Sequence, residues 1–144
     1  MSDPAFELQA AMRAAILADD APGGLQELMS NPVPIYDHVP ERARMPYIQH
    51  DEPGTAEWDV TPTETDSGYG HEHTVMLHVW SAYEGKKEVS AILYRLEVLF
   101  RDWVPSLTGH RLVNIRYQFS DRLRDPDGQA YHGVIQFRAV TEEI

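Results

Sequence analysis

The feature that most constrains this chain is a pair of alternating segments set around one strong turn. Leu112 to Phe119 alternates with Val113, Ile115, Tyr117 and Phe119 on one side and Asn114, Arg116 and Gln118 on the other. Gly133, Ile135, Phe137 and Ala139 repeat the pattern against Val134, Gln136 and Arg138. A period of two is the signature of strands with one buried face, and it predicts the first of each set inward. Between the segments stands Asp125-Pro126-Asp127-Gly128, a run of turn formers that predicts an antiparallel hairpin, extended through Asp121–Arg124 and Gln129–His132.

The rest of the chain must cover that hairpin. His73 to Trp80 is a strand with His73, Val75, Leu77 and Val79 on one face and Thr74, Met76, His78 and Trp80 on the other. Both faces are mainly apolar, which predicts a central position in a sheet whose second face is at least partly covered by helices or by another chain. Lys86 to Asp102 places Val89, Ile92, Leu93, Leu96, Leu99 and Phe100 at helical spacing, opposite Glu88, Arg95 and Arg101. Pro4 to Ala18 is a first helix with Asp3 as N-cap and Leu8, Ala11, Ala15 and Ile16 at helical spacing, closed by Asp19-Asp20 and Pro22-Gly23-Gly24. Leu25 to Met29 allows one further turn, and Ile35–Val39 and Pro46–His50 read as short strands. The order predicts an α+β fold: a mostly antiparallel sheet of four to five strands, packed by an N-terminal helix and one long central helix and ending in a β-hairpin. At 144 residues this is one domain, 1–144, with one core.

Composition excludes several classes. Cysteine is absent, which removes disulfides, thiolate metal sites and cysteine nucleophiles. Glu7 and Arg13 interrupt the apolar run near the N-terminus where a secretory signal would be unbroken, and no stretch approaches the roughly 18 apolar residues of a membrane span, so a soluble intracellular product is expected. The net charge is −11; residues 1–100 hold 17 acids and 6 bases, whereas 101–144 hold six of each, all the bases there being arginine. No basic patch of the kind that holds nucleic acid is visible.

Asp51 to Glu72 is the least ordinary segment: seven acids, no Lys or Arg, and breakers at Pro53, Gly54, Pro62, Gly68 and Gly70. It is expected to be a long acidic loop outside the core, either simply solvated or used for docking through Trp58 and Tyr69. Arg111, Arg116, Arg122 and Arg124 stand on the hairpin. A contact between the loop of one copy and the arginines of the next joins two different patches, and such a contact closes a ring when the rotation allows. The candidate interface is therefore Trp58, Asp59, Glu64, Asp66, Tyr69, Arg116, Arg122 and Arg124.

Catalysis has no candidate among known motifs: there is no His-Glu-x-x-His, phosphate loop, Gly-x-Gly-x-x-Gly or nucleophile elbow. His71 and His73 lie two apart on one strand face and admit an alternative, a metal-dependent hydrolase, but His78 falls on the opposite face, which is poor geometry for three ligands. Asp125 and Asp127 are accounted for by the turn, and Glu142 and Glu143 are expected in solvent. A third reading is a monomeric module that adds a peptide strand at the sheet edge near Pro46–His50. No catalytic residue, metal or cofactor is assigned.

Several phrases in order resemble a family of phage, prophage and gene-transfer-agent tail completion proteins, also described as tail terminators. They are Ile35-Tyr36-Asp37-His38-Val39-Pro40, Met45-Pro46-Tyr47-Ile48 and His73-Thr74-Val75-Met76-Leu77-His78-Val79-Trp80-Ser81, then Gly85 with the helix after it, Gly109-His110-Arg111-Leu112-Val113, Arg124-Asp125-Pro126-Asp127-Gly128, and His132-Gly133-Val134-Ile135-Gln136-Phe137-Arg138-Ala139. The resemblance implies a structural virion protein and not an enzyme. It implies a homo-oligomeric ring, often of six copies, that ends tail-tube growth and joins the tube protein to the head-tail connector or stopper. It further implies assembly in the bacterial cytoplasm, residence in the tail of a phage or virus-like particle, and DNA only in transit through the lumen. The acidic balance agrees, since a negatively charged bore repels phosphates and lets DNA slide.

Overall fold

The computed structural model describes residues 3–51, 53–58, 69–82, 85–126 and 130–144. Helix α1 spans Pro4–Leu17; Asp3 caps it by accepting from the Ala5 amide at 3.0 Å, and Pro4 takes the first turn where no amide is needed. Its buried stripe is Leu8, Met12 and Ile16. Helix α2 is the single turn Leu25–Leu28, and α3, Lys87–Leu99, buries Val89, Ile92, Leu93 and Leu96 as its spacing predicts.

The strands are β1 (Ile35–Tyr36), β2 (Tyr47–His50), β3 (Gly54–Glu57), β4 (Gly70–Ser81), β5 (His110–Arg124) and β6 (Tyr131–Glu143). They form one six-stranded sheet in the order β1-β2-β4-β6-β5, with β3 also on β4. Every pairing is antiparallel except β1 with β2. Because β6 runs along all of β4, the strands β2 and β3 share the other edge of β4, β2 opposite Leu77–Trp80 and β3 opposite His71–Thr74. The fold is α+β with the C-terminal hairpin in place, and the short β1 and β3 raise the strand count above the expected four to five. Part of the segment expected to be loop, Gly54–Glu57, is thus an edge strand.

Both long helices pack on one face of the sheet. Val75, Leu77 and Val79 of β4 and Ile135, Phe137 and Ala139 of β6 form one buried cluster with Leu8, Met12, Ile16, Ile92, Leu93, Leu96 and Phe100. Removing each large apolar side chain from water contributes about 1.5–3 kcal/mol. Gly133 is part of the fit: a Cβ there would lie 2.7 Å from Val89 Cγ2 and 2.8 Å from Leu93 Cδ1, so only glycine lets α3 settle against β6.

The even-numbered residues of β4 face away from the helices. Met76, His78 and Trp80 are half-buried and Thr74 is exposed, and no helix of the described residues covers them. The expectation that this second face is covered is therefore unmet within a single copy.

Strand β5 departs from its simple period. Register shifts between Leu112 and Asn114 and between Tyr117 and Phe119 insert an extra residue at Val113 and at Gln118. Each bulge re-aims the side chains beyond it. Val113 and Phe119, expected inward, are instead 41% and 43% exposed, while Ile115 stays against the core and Tyr117 meets Phe137 edge-on at 6.4 Å.

Candidate functional site

The uncovered face carries an ordered row of aromatic and imidazole rings. Tyr36 meets Tyr47 at 5.9 Å, Tyr47 meets Trp80 at 6.5 Å, and Trp80 stacks on His132 at 4.0 Å with an interplanar angle of 3°. His132 Nε2 lies 2.7 Å from His78 Nδ1, and His78 Nε2 lies 2.7 Å from Asp51 Oδ2. His78 thus bridges the His132 ring and the Asp51 carboxylate through its two ring nitrogens. Burial, then the neighbouring His78, holds His132 below the usual imidazole range. Farther along the same face Arg138 donates to Glu72 at 2.9 Å. The row holds the strands in register and presents a flat, half-polar surface.

The histidines proposed for metal are committed elsewhere. His73 is fully buried, its Nδ1 at 3.0 Å from Thr55 Oγ1 and its Nε2 at 2.8 Å from Thr141 Oγ1, so both ring nitrogens have partners. Burial, reinforced by His71, pushes its pKa down to about 4. The His71 ring lies 6.2 Å away, and among the described residues no group of three His, Asp or Glu side chains is placed to hold a metal ion. Nothing here supports the hydrolase alternative. The peptide-binding alternative meets a different obstacle, because the edge at Tyr47–His50 is already occupied by β1, with Ile35 opposite Ile48 and Tyr36 opposite Gln49.

One buried histidine escaped the reading of the sequence. His50 is 2% exposed, and neither ring nitrogen has a hydrogen-bond partner among the described residues. Burial pushes its pKa down to about 4 against the opposing pull of Asp37 and Asp51. The signal was its alternation with Ile48 on β2, which puts both on the core face. Glu142, expected in solvent, is 4% exposed and is held by the Arg111 guanidinium.

The predicted interface residues are scattered over the two faces and the hairpin edge. Trp58 lies over Gly70, where a Cβ would approach its Cε3 to 2.6 Å, so this ring packs on its own chain and is half-buried. Tyr69 is 63% exposed. Asp59, Glu64 and Asp66 lie outside the described residues. Arg122 donates to Ser90 Oγ of α3 at 2.7 Å, which puts it on the helix side. Arg116, opposite Arg138, and Arg124, opposite Tyr131, are exposed and form no ion pair among the described residues. The strand carrying them is the outer edge of the sheet, 15 residues long, with Val113, Tyr117, Phe119 and Leu123 each more than 40% exposed. A long edge with exposed apolar side chains is a surface that invites another chain.

No curated protein matches the chain. Among solved structures it is similar to a chain from "Virion of native gene transfer agent (GTA) particle", with 21% identity over 98% of this chain and 99% of that one and a TM-score of 0.80, a likeness of fold. The family described as "Tail completion protein gp17" matches residues 10–142. The chain belongs to that family and is a structural tail completion protein.

Proposed function

We propose that this protein closes into a ring of identical copies at the head-proximal end of a tail tube, where it ends tube growth and joins the tube to the head connector. The observation that carries the reading is the family match, which spans the chain from residue 10 to residue 142. The sheet geometry supports it: among the described residues one sheet face carries no helix, the long edge strand β5 has no further strand beside it, and no group of side chains is placed to hold a metal ion. The family resemblance implies six copies. The protein works without turnover, as a part of a virion or virus-like particle assembled in the bacterial cytoplasm.

Charge supports the same reading. A lumen lined by copies of a −11 chain repels DNA phosphates, so DNA passes without being held. Between copies, the acids of 51–72, including Asp59, Glu64 and Asp66, face the hairpin arginines Arg116, Arg122 and Arg124, and Tyr69 and the exposed edge of Trp58 complete the contact. Such pairs contribute about 1 kcal/mol or less each, so they orient the copies and apolar burial supplies the affinity. The test is to mix the protein with the tail-tube protein of the same particle and to examine the product by electron microscopy and native mass spectrometry. Rings capping tube ends are expected; persistent monomers with no affinity for tube or connector would refute the reading.

A further inference from the structure

Among the described residues, the two outer edges of the sheet that have no further strand beside them, β3 and β5, match each other. Strand β3 is antiparallel to β4, β4 to β6 and β6 to β5, so β3 and β5 run in opposite directions at opposite edges. A second copy set beside the first in the same orientation therefore brings β3 against β5 as an antiparallel pair.

The backbone groups are in phase as well. The Trp58 amide donates to the Gly70 carbonyl at 3.0 Å, so by strict alternation the amides of Gly54 and Ala56 also face β4, and those of Thr55 and Glu57 face outward. On the other side, Ile144 donates to Gly109 and Glu143 to Tyr69. Glu142, Val140 and Arg138 accordingly face β5, so their partners Asn114 and Arg116 face inward and Ile115 and Tyr117 face outward. Thr55, His73, Ala139 and Ile115 form one row across the sheet. Both ends of that row thus point free hydrogen-bonding groups outward at the same height.

Size and charge fit too. The four residues of β3 are all exposed and small except Glu57, and in this phase Gly54, Thr55 and Ala56 fall opposite Arg116, Ile115 and Asn114, inside the regular stretch between the two bulges of β5. The bulges limit strand addition to that window. Strand β5 carries four arginines against one acid, whereas the 51–72 segment holding β3 carries seven acids and no Lys or Arg.

From these relations we infer that neighbouring copies join edge to edge, Gly54–Ala56 at the outer edge of β3 in one copy adding to Asn114–Arg116 of β5 in the next, with Thr55 and Ile115 as a hydrogen-bonded pair. The inference rests on the ring reading above and specifies its subunit junction. The sheet then runs on from copy to copy, all helices stay on one side of the ring, and the uncovered sheet face forms the other wall. Sheet twist supplies a rotation at each junction.

The cysteine-free chain allows a direct test. In this register Gly54 lies opposite Arg116 of the neighbour as a non-hydrogen-bonded pair, the closer kind that a disulfide spans. A Gly54→Cys/Arg116→Cys chain is assembled with the tube protein and mildly oxidised, beside an Ala56→Cys/Arg116→Cys chain that reports a register shifted by two residues. Circular dichroism confirms that each variant folds, and native mass spectrometry of the unaltered protein first establishes whether a ring forms. A covalent ladder on non-reducing gels from the Gly54→Cys/Arg116→Cys chain, absent from each single-cysteine chain, is the expected result; a ladder from the Ala56→Cys/Arg116→Cys chain alone would overturn the Thr55–Ile115 register. Rings that form but yield no ladder from either pair would overturn the edge junction and leave the ring standing. Efficient dimers from Arg116→Cys alone would replace it with a two-fold contact, and no ring at all would remove both readings.

Discussion

The guanidinium of Arg95 forks onto the carboxylate of Asp19, Nε at 2.7 Å from Oδ2 and Nη2 at 2.6 Å from Oδ1. Asp19 also accepts from the Leu25 amide at 2.8 Å, so one buried carboxylate ties the end of α1 to the start of α2 and to the middle of α3. Arg95 holds it below the usual carboxylate range. Breaking a buried pair strands the other charge, and here the Arg95 side chain keeps 21% of its exposure, which softens the loss. Asp19→Ala is expected to cost about 2–4 kcal/mol in urea denaturation. Arg95→Lys, which keeps the charge and loses the fork, is expected to cost about half that.

Acid stability depends on two buried imidazoles. His50 and His73 are held neutral, with folded pKa values of about 4, while the unfolded chain takes up a proton near the ordinary value of 6.5. Above pH 6.5 neither state binds that proton and stability is intact. As pH falls from 6.5 toward 4 the unfolded state gains protons that the folded state refuses, and stability declines by about 2–3 kcal/mol per histidine. Because His50 has no hydrogen-bond partner among the described residues, His50→Leu is expected to be neutral or stabilising at pH 7 and to flatten that decline. Denaturation midpoints at pH 7.5 and pH 5 check both statements. A variant as acid-sensitive as the parent would contradict the assignment.

The packing of α3 on β6 gives a third expectation. Gly133→Ala pushes a methyl into Val89 and Leu93, at 2.7 and 2.8 Å, and is expected to lower stability by about 1–3 kcal/mol without changing the secondary structure. A calorimetric Tm unchanged from the parent would show that α3 can shift at little cost.

Assembly and folding separate at the arginines. Arg116 and Arg124 are exposed and form no ion pair within the described residues, so reversing both to glutamate is expected to leave the monomer's Tm within a few degrees of the parent. Ring formation should weaken by about tenfold and become more salt-sensitive. Light scattering at low and high salt measures both. Including Arg122 confuses the comparison, since its bond to Ser90 stabilises the folded chain.

Where the sequence was legible, one periodicity dominated. Alternation fixed β4 and β6, and helical spacing fixed α1 and α3, because each buries a single continuous stripe. Met12 entered the α1 stripe in place of Ala11 since both positions lie near the same face and the larger side chain fills the core. The bulges at Val113 and Gln118 were invisible because an inserted residue changes no composition, and so Phe119 was assigned to the wrong face. Strand β3 was hidden among glycine, threonine and alanine, whose strand character comes from pairing with β4 and not from their own propensity. Of the candidate interface, the sequence could flag the arginines and aromatics but not their faces: Trp58 turned inward onto Gly70, and Arg122 turned toward α3.

The central proposal is that this member of the tail completion family acts as a ring built from identical copies. The most direct measurement is native mass spectrometry with negative-stain imaging of the untagged protein incubated with its tail-tube protein. The account predicts one discrete closed oligomer, seen end-on as a ring and side-on as a cap on the tube. Monomers throughout, with tubes growing past their normal length in its presence, would contradict it.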